Sequence, residues 1–221
     1  MKRLGSQPKQ EKPAKKKKAV KKLGEGNVLV TKSLYSKEDA IEYKMRSVEP
    51  KLLGVKLVNY ELKNIRKVWV PCYFMMYDFK ATRNIFFSKS KALNREGIIA
   101  AIFDANEMHT SHYDVLTEGE LPLVEKSLDS MKEDAVILKD KESIEKIKEQ
   151  AEFSIKRQML FKAYKTMESE LELIKMYKFY REAWEMEMGY KDRTYIKYAY
   201  LDDYGVANER ARGLSTKLDS M

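Results

Sequence analysis

A chain of 221 residues with 43% apolar side chains has enough material for one large core or two small ones, and its 35% charged fraction exceeds the usual quarter. Cys72 is the only cysteine, which excludes a disulfide framework and a cysteine-built zinc site. No apolar run reaches the roughly 18 residues that cross a bilayer, and no apolar segment follows the basic N-terminus as a secretory signal requires. A cytoplasmic protein is expected, or a nuclear one if the source is eukaryotic. The net charge of +9 is unevenly placed. Residues 1–28 hold ten lysines and arginines against Glu11 and Glu25, a balance of +8, so residues 29–221 carry only +1.

Residues 1–28 read as a disordered basic tail. Up to residue 27 there is no aromatic side chain, there are two prolines, and four lysines stand in a row at 15–18. Such a segment buries too little apolar surface to offset chain entropy. Lys12, Lys15, Lys16, Lys17, Lys18, Lys21 and Lys22 are the candidate polyanion-binding residues. They suit nucleic-acid phosphates, through counterion release, or anionic lipid. Lysine in place of arginine argues for point-charge attraction without base readout. The plain alternative is a solubilising tail with no partner.

A first α+β unit is expected over 29–118. Ser36 caps a helix at 36–49, where Ala40, Ile41, Met45 and Val48 form one apolar stripe and Pro50 closes the segment. The period then shortens. Residues 55–62 and 67–79 are β-branched and aromatic, with Pro71 placing the second run at an edge or a bulge. Residues 80–96 read as a long loop, 98–103 as a compact strand, 104–106 as a turn and 109–116 as a return strand. A connector with Gly119 and Pro122 spans 119–138. The second unit, 139–221, opens on a helix over 140–166 with Ile144, Ile147, Ala151, Ile155, Met159 and Ala163 three or four apart. Towards Leu173 helix and strand cannot be separated. Residues 183–190 alternate strictly, 191–192 form a hairpin turn, and 193–201 return.

The two halves share an order of elements. Overlaid at an offset of 115, Arg66 falls on Arg181, Val68 on Ala183 and Trp69 on Trp184, the only two tryptophans. From Trp to the turn Asp is 35 residues in the first half and 18 in the second; the difference of 17 is the length of the 80–96 loop. Without that loop Asp104 falls on Asp202. The sequence therefore predicts two helix-plus-antiparallel-sheet units, the second a possible duplicate of the first. In order of elements each resembles the small α-β-β-β modules of PepSY or cystatin type. The likeness is one of architecture only and implies no function.

Candidate chemistry is sparse. The only histidines, His109 and His112, lie among Asp104, Glu107 and Asp114. On a helix that spacing would put both rings on one face for a metal; on a strand, positions three apart face opposite ways. A strand is predicted, so an exposed turn is favoured over a metal or acid–base site, and neither metal nor cofactor is expected. Cys72 reads as a buried, inert thiol. There is no phosphate loop, no G-x-S-x-G and no H-E-x-x-H. Trp69, Tyr73 and Tyr77 share a strand face that could stack bases, but a sheet under a helix would bury that face as core. The sequence thus favours a non-enzymatic binding or scaffold protein that engages a protein partner or itself. Its tail would add non-specific affinity for nucleic acid or another polyanion. A metal-assisted hydrolase using the Asp104–Asp114 cluster, or a structural protein with an inert tail, is the alternative.

Overall fold

The computed structural model describes residues 26–48, 51–52, 55–56, 60–83, 93–160 and 169–204. The seven tail lysines lie outside these residues, as does the stretch 84–92 within the expected loop.

The strands that organise the molecule are the longest ones. β-Branched and aromatic residues recur along the segment from Ile65 to Phe79, and the chain stays extended for 23 residues, Glu61–Arg83. A second run, Ser169–Tyr190, is 22 residues long. These two strands pair antiparallel from Glu61↔Gly189 to Ala81↔Ser169, with irregularities at Leu62/Asn64 and Met76/Tyr77. They form a ribbon at the centre of one mixed sheet. In chain order the strands are β1 (Asn27–Thr31), β2 (Lys51–Leu52), β3 (Val55–Lys56), β4 (Glu61–Arg83), β5 (Leu93–Asp104), β6 (His109–Tyr113), β7 (Leu123–Ser127), β8 (Val136–Ile137), β9 (Ser169–Tyr190) and β10 (Arg193–Tyr200). The main sheet runs β6-β5-β4-β9-β1-β7, with β10 added to β9 and β8 to β4; β2 and β3 form a separate small hairpin.

This topology overturns the two-unit reading. The partners expected in separate modules are neighbours in one sheet, so there is no pair of α-β-β-β units of PepSY or cystatin type. Residues 119–138 are no free connector. They supply β7, which pairs with β1, and β8, which pairs with β4. Nor is 80–96 a loop at its ends, because Lys80 to Arg83 and Leu93 to Glu96 extend the β4–β5 hairpin. One part of the overlay has a physical counterpart. Val68 and Ala183 face each other directly across the ribbon, flanked by Trp69↔Glu182 and Lys67↔Trp184. The repeated motif thus crosses itself at a local two-fold relation within a single sheet.

Pro71 lies mid-strand and not at an edge. The carbonyls of Trp69 and Pro71 accept from Leu138 N (3.0 Å) and Ala105 N (3.1 Å), both on the flank away from β9. A strand residue directs its N–H to the same flank as its C=O. The missing donor therefore points into the gap where β8 has ended, at Trp69, and β5 has not begun, at Cys72. No ladder bond is lost.

Both faces of β4 are buried. Trp69, Tyr73, Met75, Tyr77 and Phe79 point one way, and Val68, Val70, Cys72 and Phe74 the other. The aromatic stripe is therefore core and offers no surface for stacking bases. Helices cover the sheet in separate places. Helix α1 (Lys37–Val48) packs along β10 and β9 on Met186, Met188, Ala199 and Leu201 through Ala40. Two short helices follow, α2 (Val115–Glu118) and α3 (Leu128–Asp134), the latter burying Met131 against Trp69 and Val30. Helix α4 (Ile144–Ser154) continues as a π-helical turn, Ile155–Leu160. Ile147, Ala151 and Ile155 are fully buried against Tyr73, Met75 and Phe103, but Ile144 is exposed. The π turn explains why Leu160 joins them: a step of five residues stays on one face there. The opposite face of β4 is enclosed by Ala100 and Ile102 of β5, Tyr113 of β6, and Phe179, Ala183 and Tyr198. The sheet curls far enough to bring strands from the two flanks of the ribbon into contact. Tyr200 of β10 donates its hydroxyl to Asp104 at the end of β5.

Candidate functional site

That curl, closed by α1, leaves a cleft of about 500 Å³. This is the size range of small-molecule sites. Helix α1 exists because Ser36 caps it, its Oγ accepting from Asp39 N at 3.1 Å, with Glu38 and Asp39 in the positive first turn. Asp39, Ala40, Tyr43, Lys44 and Ser47 recur at helical spacing and form one wall. Asp104, Glu107, His109 and Ser111, from the β5–β6 turn, form the second; Tyr198, Tyr200, Asp202 and Tyr204, from β10 and its exit, form the third.

The floor is a buried network. Arg181 is 3% exposed and Asp202 1%. Arg181 Nε lies 3.1 Å from both carboxylate oxygens, and Nη2 lies 2.5 Å from Oδ1. Thr31 Oγ1 donates to Asp202 Oδ2 at 2.6 Å, and Tyr204 N to Oδ1 at 3.1 Å. The guanidinium stacks on the Tyr200 ring, 3.7 Å from its centroid. Burial alone would lower the Arg181 pKa, but Asp202 outweighs it and the net shift is upward. Asp104 is spent in the same way. Its Oδ1 accepts from Asn106 N (2.8 Å) and Glu107 N (2.9 Å), and Oδ2 accepts from Tyr200. These contacts tie the floor of the cleft together.

The second wall differs. Lys44 Nζ and Glu107 Oε1 stand 3.7 Å apart, beyond hydrogen-bond reach, with side chains 16% and 19% exposed. Glu107 Oε1 accepts no hydrogen bond, and neither does His109 Nε2 make one, although both atoms are buried. Burial pulls the Lys44 ammonium down, Glu107 opposes that, and Lys197 adds to it. The tyrosines around the cleft feel its carboxylates. Burial first, then Asp203 and Asp202, raise Tyr35; burial, then Glu185, Asp104 and Glu107, raise Tyr198.

The residues singled out from sequence fall in several places. Asp104 and His109 line the cleft, the first as a structural brace. His112 is on the outward face of β6, so the two rings diverge as strand geometry requires. Asp114 caps α2, accepting from Thr117 N at 3.2 Å and from its hydroxyl at 2.9 Å, which holds its carboxyl below the usual range. Among the described residues no group of His, Cys, Asp and Glu is placed to hold a metal ion. Cys72 is fully buried, and burial, then Asp104, push its thiol well up. Arg181, Asp202, Lys44 and the tyrosines carried no local signal of a site. Asp202 was visible only as the overlay partner of Asp104, and the two carboxylates belong to one network, Asp104 bonded by Tyr200, whose ring lies on the Arg181 that pairs with Asp202. Among the described residues no helix is long and apolar enough to cross a membrane. No family model, curated protein or solved structure matches this chain.

Proposed function

We propose that this chain is a non-enzymatic binding protein whose cleft under α1 receives a ligand, while the lysines from Lys12 to Lys22 add non-specific affinity for a polyanion. The observation that carries the reading is the state of the cleft floor. Arg181, Asp202, Asp104 and Tyr200 are engaged with one another and with Thr31, Asn106 and Glu107. A floor of that kind preorganises shape and field, which is what binding uses. The cleft atoms that make no hydrogen bond, Glu107 Oε1 and His109 Nε2, stand on the wall above that floor, where binding uses them as ligand contacts. Support for the tail is charge alone: +8 in residues 1–28 against +1 in the rest.

Two measurements test it. A small-molecule library screened against the intact protein by two-dimensional NMR should give hits that shift cleft resonances and are recovered unchanged. Chemical conversion of the hits, or no response in the cleft, would overturn the reading. Anisotropy with a random-sequence oligonucleotide should show binding whose log–log salt slope collapses when residues 1–25 are removed. An unchanged slope would remove the tail from the proposal.

A further inference from the structure

Resting on the binding reading, we infer that Lys44 and Glu107 are the polar end of a site for a small zwitterion: an amino acid, or a molecule like one, with an apolar side chain. Two opposite charges, four-fifths buried, face each other where the α1 wall meets the β5–β6 wall, yet stand 3.7 Å apart. They stand at ion-pair distance but short of a hydrogen bond, so the desolvation of each is only partly offset. Glu107 Oε1 accepts no hydrogen bond, and the ammonium is too distant to donate to it. A ligand carboxylate completes Lys44 while the ligand's own ammonium completes Glu107. The four charges then alternate in sign around a ring. A molecule with an ammonium and a carboxylate on one carbon presents its two charges at about the spacing of a hydrogen-bonded pair, which matches the separation of Lys44 from Glu107.

Single charges fit worse. A lone anion gains Lys44 but meets Glu107, with Asp104 and Asp202 behind it; a lone cation gains Glu107 but meets Lys44. Arg181 offers an anion no help, because Asp202 occupies it. The rest of the cleft suits the rest of the ligand. Tyr35 and Tyr43 stand half-exposed near the α1 wall, and Tyr198 and Ala199 line the far side. Aromatic faces accept both an apolar side chain and the flank of an ammonium. His109 Nε2, without a partner on the same wall, is one more polar contact for the charged end.

The test is calorimetric titration of the full chain with three probes of one shape: L-phenylalanine, phenethylamine and 3-phenylpropionate. L-Phenylalanine should bind at least tenfold more tightly than either single-charge probe. Lys44→Met and Glu107→Gln should each weaken it tenfold or more, and Lys44→Met should leave phenethylamine unharmed or improved. Circular dichroism on both variants establishes that the fold is kept, and Lys44→Arg, which retains the charge, should recover part of the binding. Equal affinity for all three probes, or full retention in either variant, would overturn the assignment. Absence of any binding overturns it too. If other molecules still shift the cleft resonances in the library screen, only this assignment falls; if nothing does, the binding reading falls with it.

Discussion

Removing both partners of the ion pair in the cleft floor should cost far less than the sum of removing each alone. In Asp202→Ala the Arg181 guanidinium, 3% exposed, keeps its charge and loses three N–H···O contacts of 2.5–3.1 Å. Thr31 Oγ1 and Tyr204 N lose their acceptor in the same step. Leaving a buried charge uncompensated costs about 3–5 kcal/mol. For a chain of this size that lowers the melting temperature by roughly 6–20 °C. Arg181→Met with Asp202→Leu removes both charges and fills the space, so it should fall well short of the sum of the single losses. Urea unfolding followed by the fluorescence of Trp69 and Trp184 measures Asp202→Ala, the single variants Arg181→Met and Asp202→Leu, and the double variant. A loss below ~1 kcal/mol in Asp202→Ala, or strict additivity in the double variant, would refute the claim that the pair stands or falls as a unit.

Other outcomes follow from named contacts. Burial first, then Tyr113 and the carboxylates of Asp203 and Asp202, push the Tyr204 phenol up to about 12. Because the folded value is raised, its contribution to stability is complete below the unfolded value near 10 and is lost as pH rises through 12. An alkaline absorbance titration should find Tyr204, with the buried Tyr77 and the partly buried Tyr177, still protonated at pH 11; ionisation of all tyrosines near pH 10 with native circular dichroism would contradict this. Asp134 is shifted the other way, chiefly by its hydrogen bond from Lys67 and then by the charges of Lys67 and Lys126. Its contribution is present above 3.8 and is lost as pH falls through the depressed value. Asp134→Asn should flatten that acid limb and cost less than ~1 kcal/mol at neutral pH, since the pair is a third exposed. Thiol labelling of Cys72 should be undetectable in the native protein and should rise with the unfolding curve; stoichiometric labelling without unfolding would show that the thiol is accessible. Gly119 closes α2 at φ 75°, ψ −148°, a region nearly closed to other residues, so Gly119→Ala should cost about 1–3 kcal/mol in the same urea assay.

Local chemistry was legible in the sequence, and long-range pairing was not. The Ser36 cap, the turn after Asp104, the strand placing His109 and His112 on opposite faces, and the 191–192 hairpin all depend on residues within a few positions of each other, and all are present. The pairing of β4 with β9 depends on positions about a hundred residues apart. Nothing within the stretch from Ser169 to Glu182 settles helix against strand, because its charged residues find their partners elsewhere: Lys178 bonds Asp140 at 2.6 Å, and Glu182 pairs with Lys67. Arg66 and Arg181 carry the same local motif and meet opposite fates. Arg66 is half-exposed beside Glu185, and Arg181 lies under the floor of the cleft. Only the curl of the sheet separates them. The same holds for Lys44 and Glu107, whose opposition across the cleft exists once α1 closes on the β5–β6 turn.

The ribbon also sets an order in time. From Glu61 to Ala81, all β4 residues but Lys63 at the irregularity wait for a partner between Gly189 and Ser169, 88 to 128 residues further along the chain. At ribosomal speeds of roughly 5–20 residues per second that delay is on the order of 5–25 seconds. Throughout it the nascent chain carries Val68, Trp69, Val70, Phe74 and Tyr77 on a strand whose main partner has not been made. The β4–β5 hairpin covers only one of its edges. Translation, more than the stability of the finished sheet, is therefore the stage at which this chain is most exposed to aggregation and most dependent on chaperones.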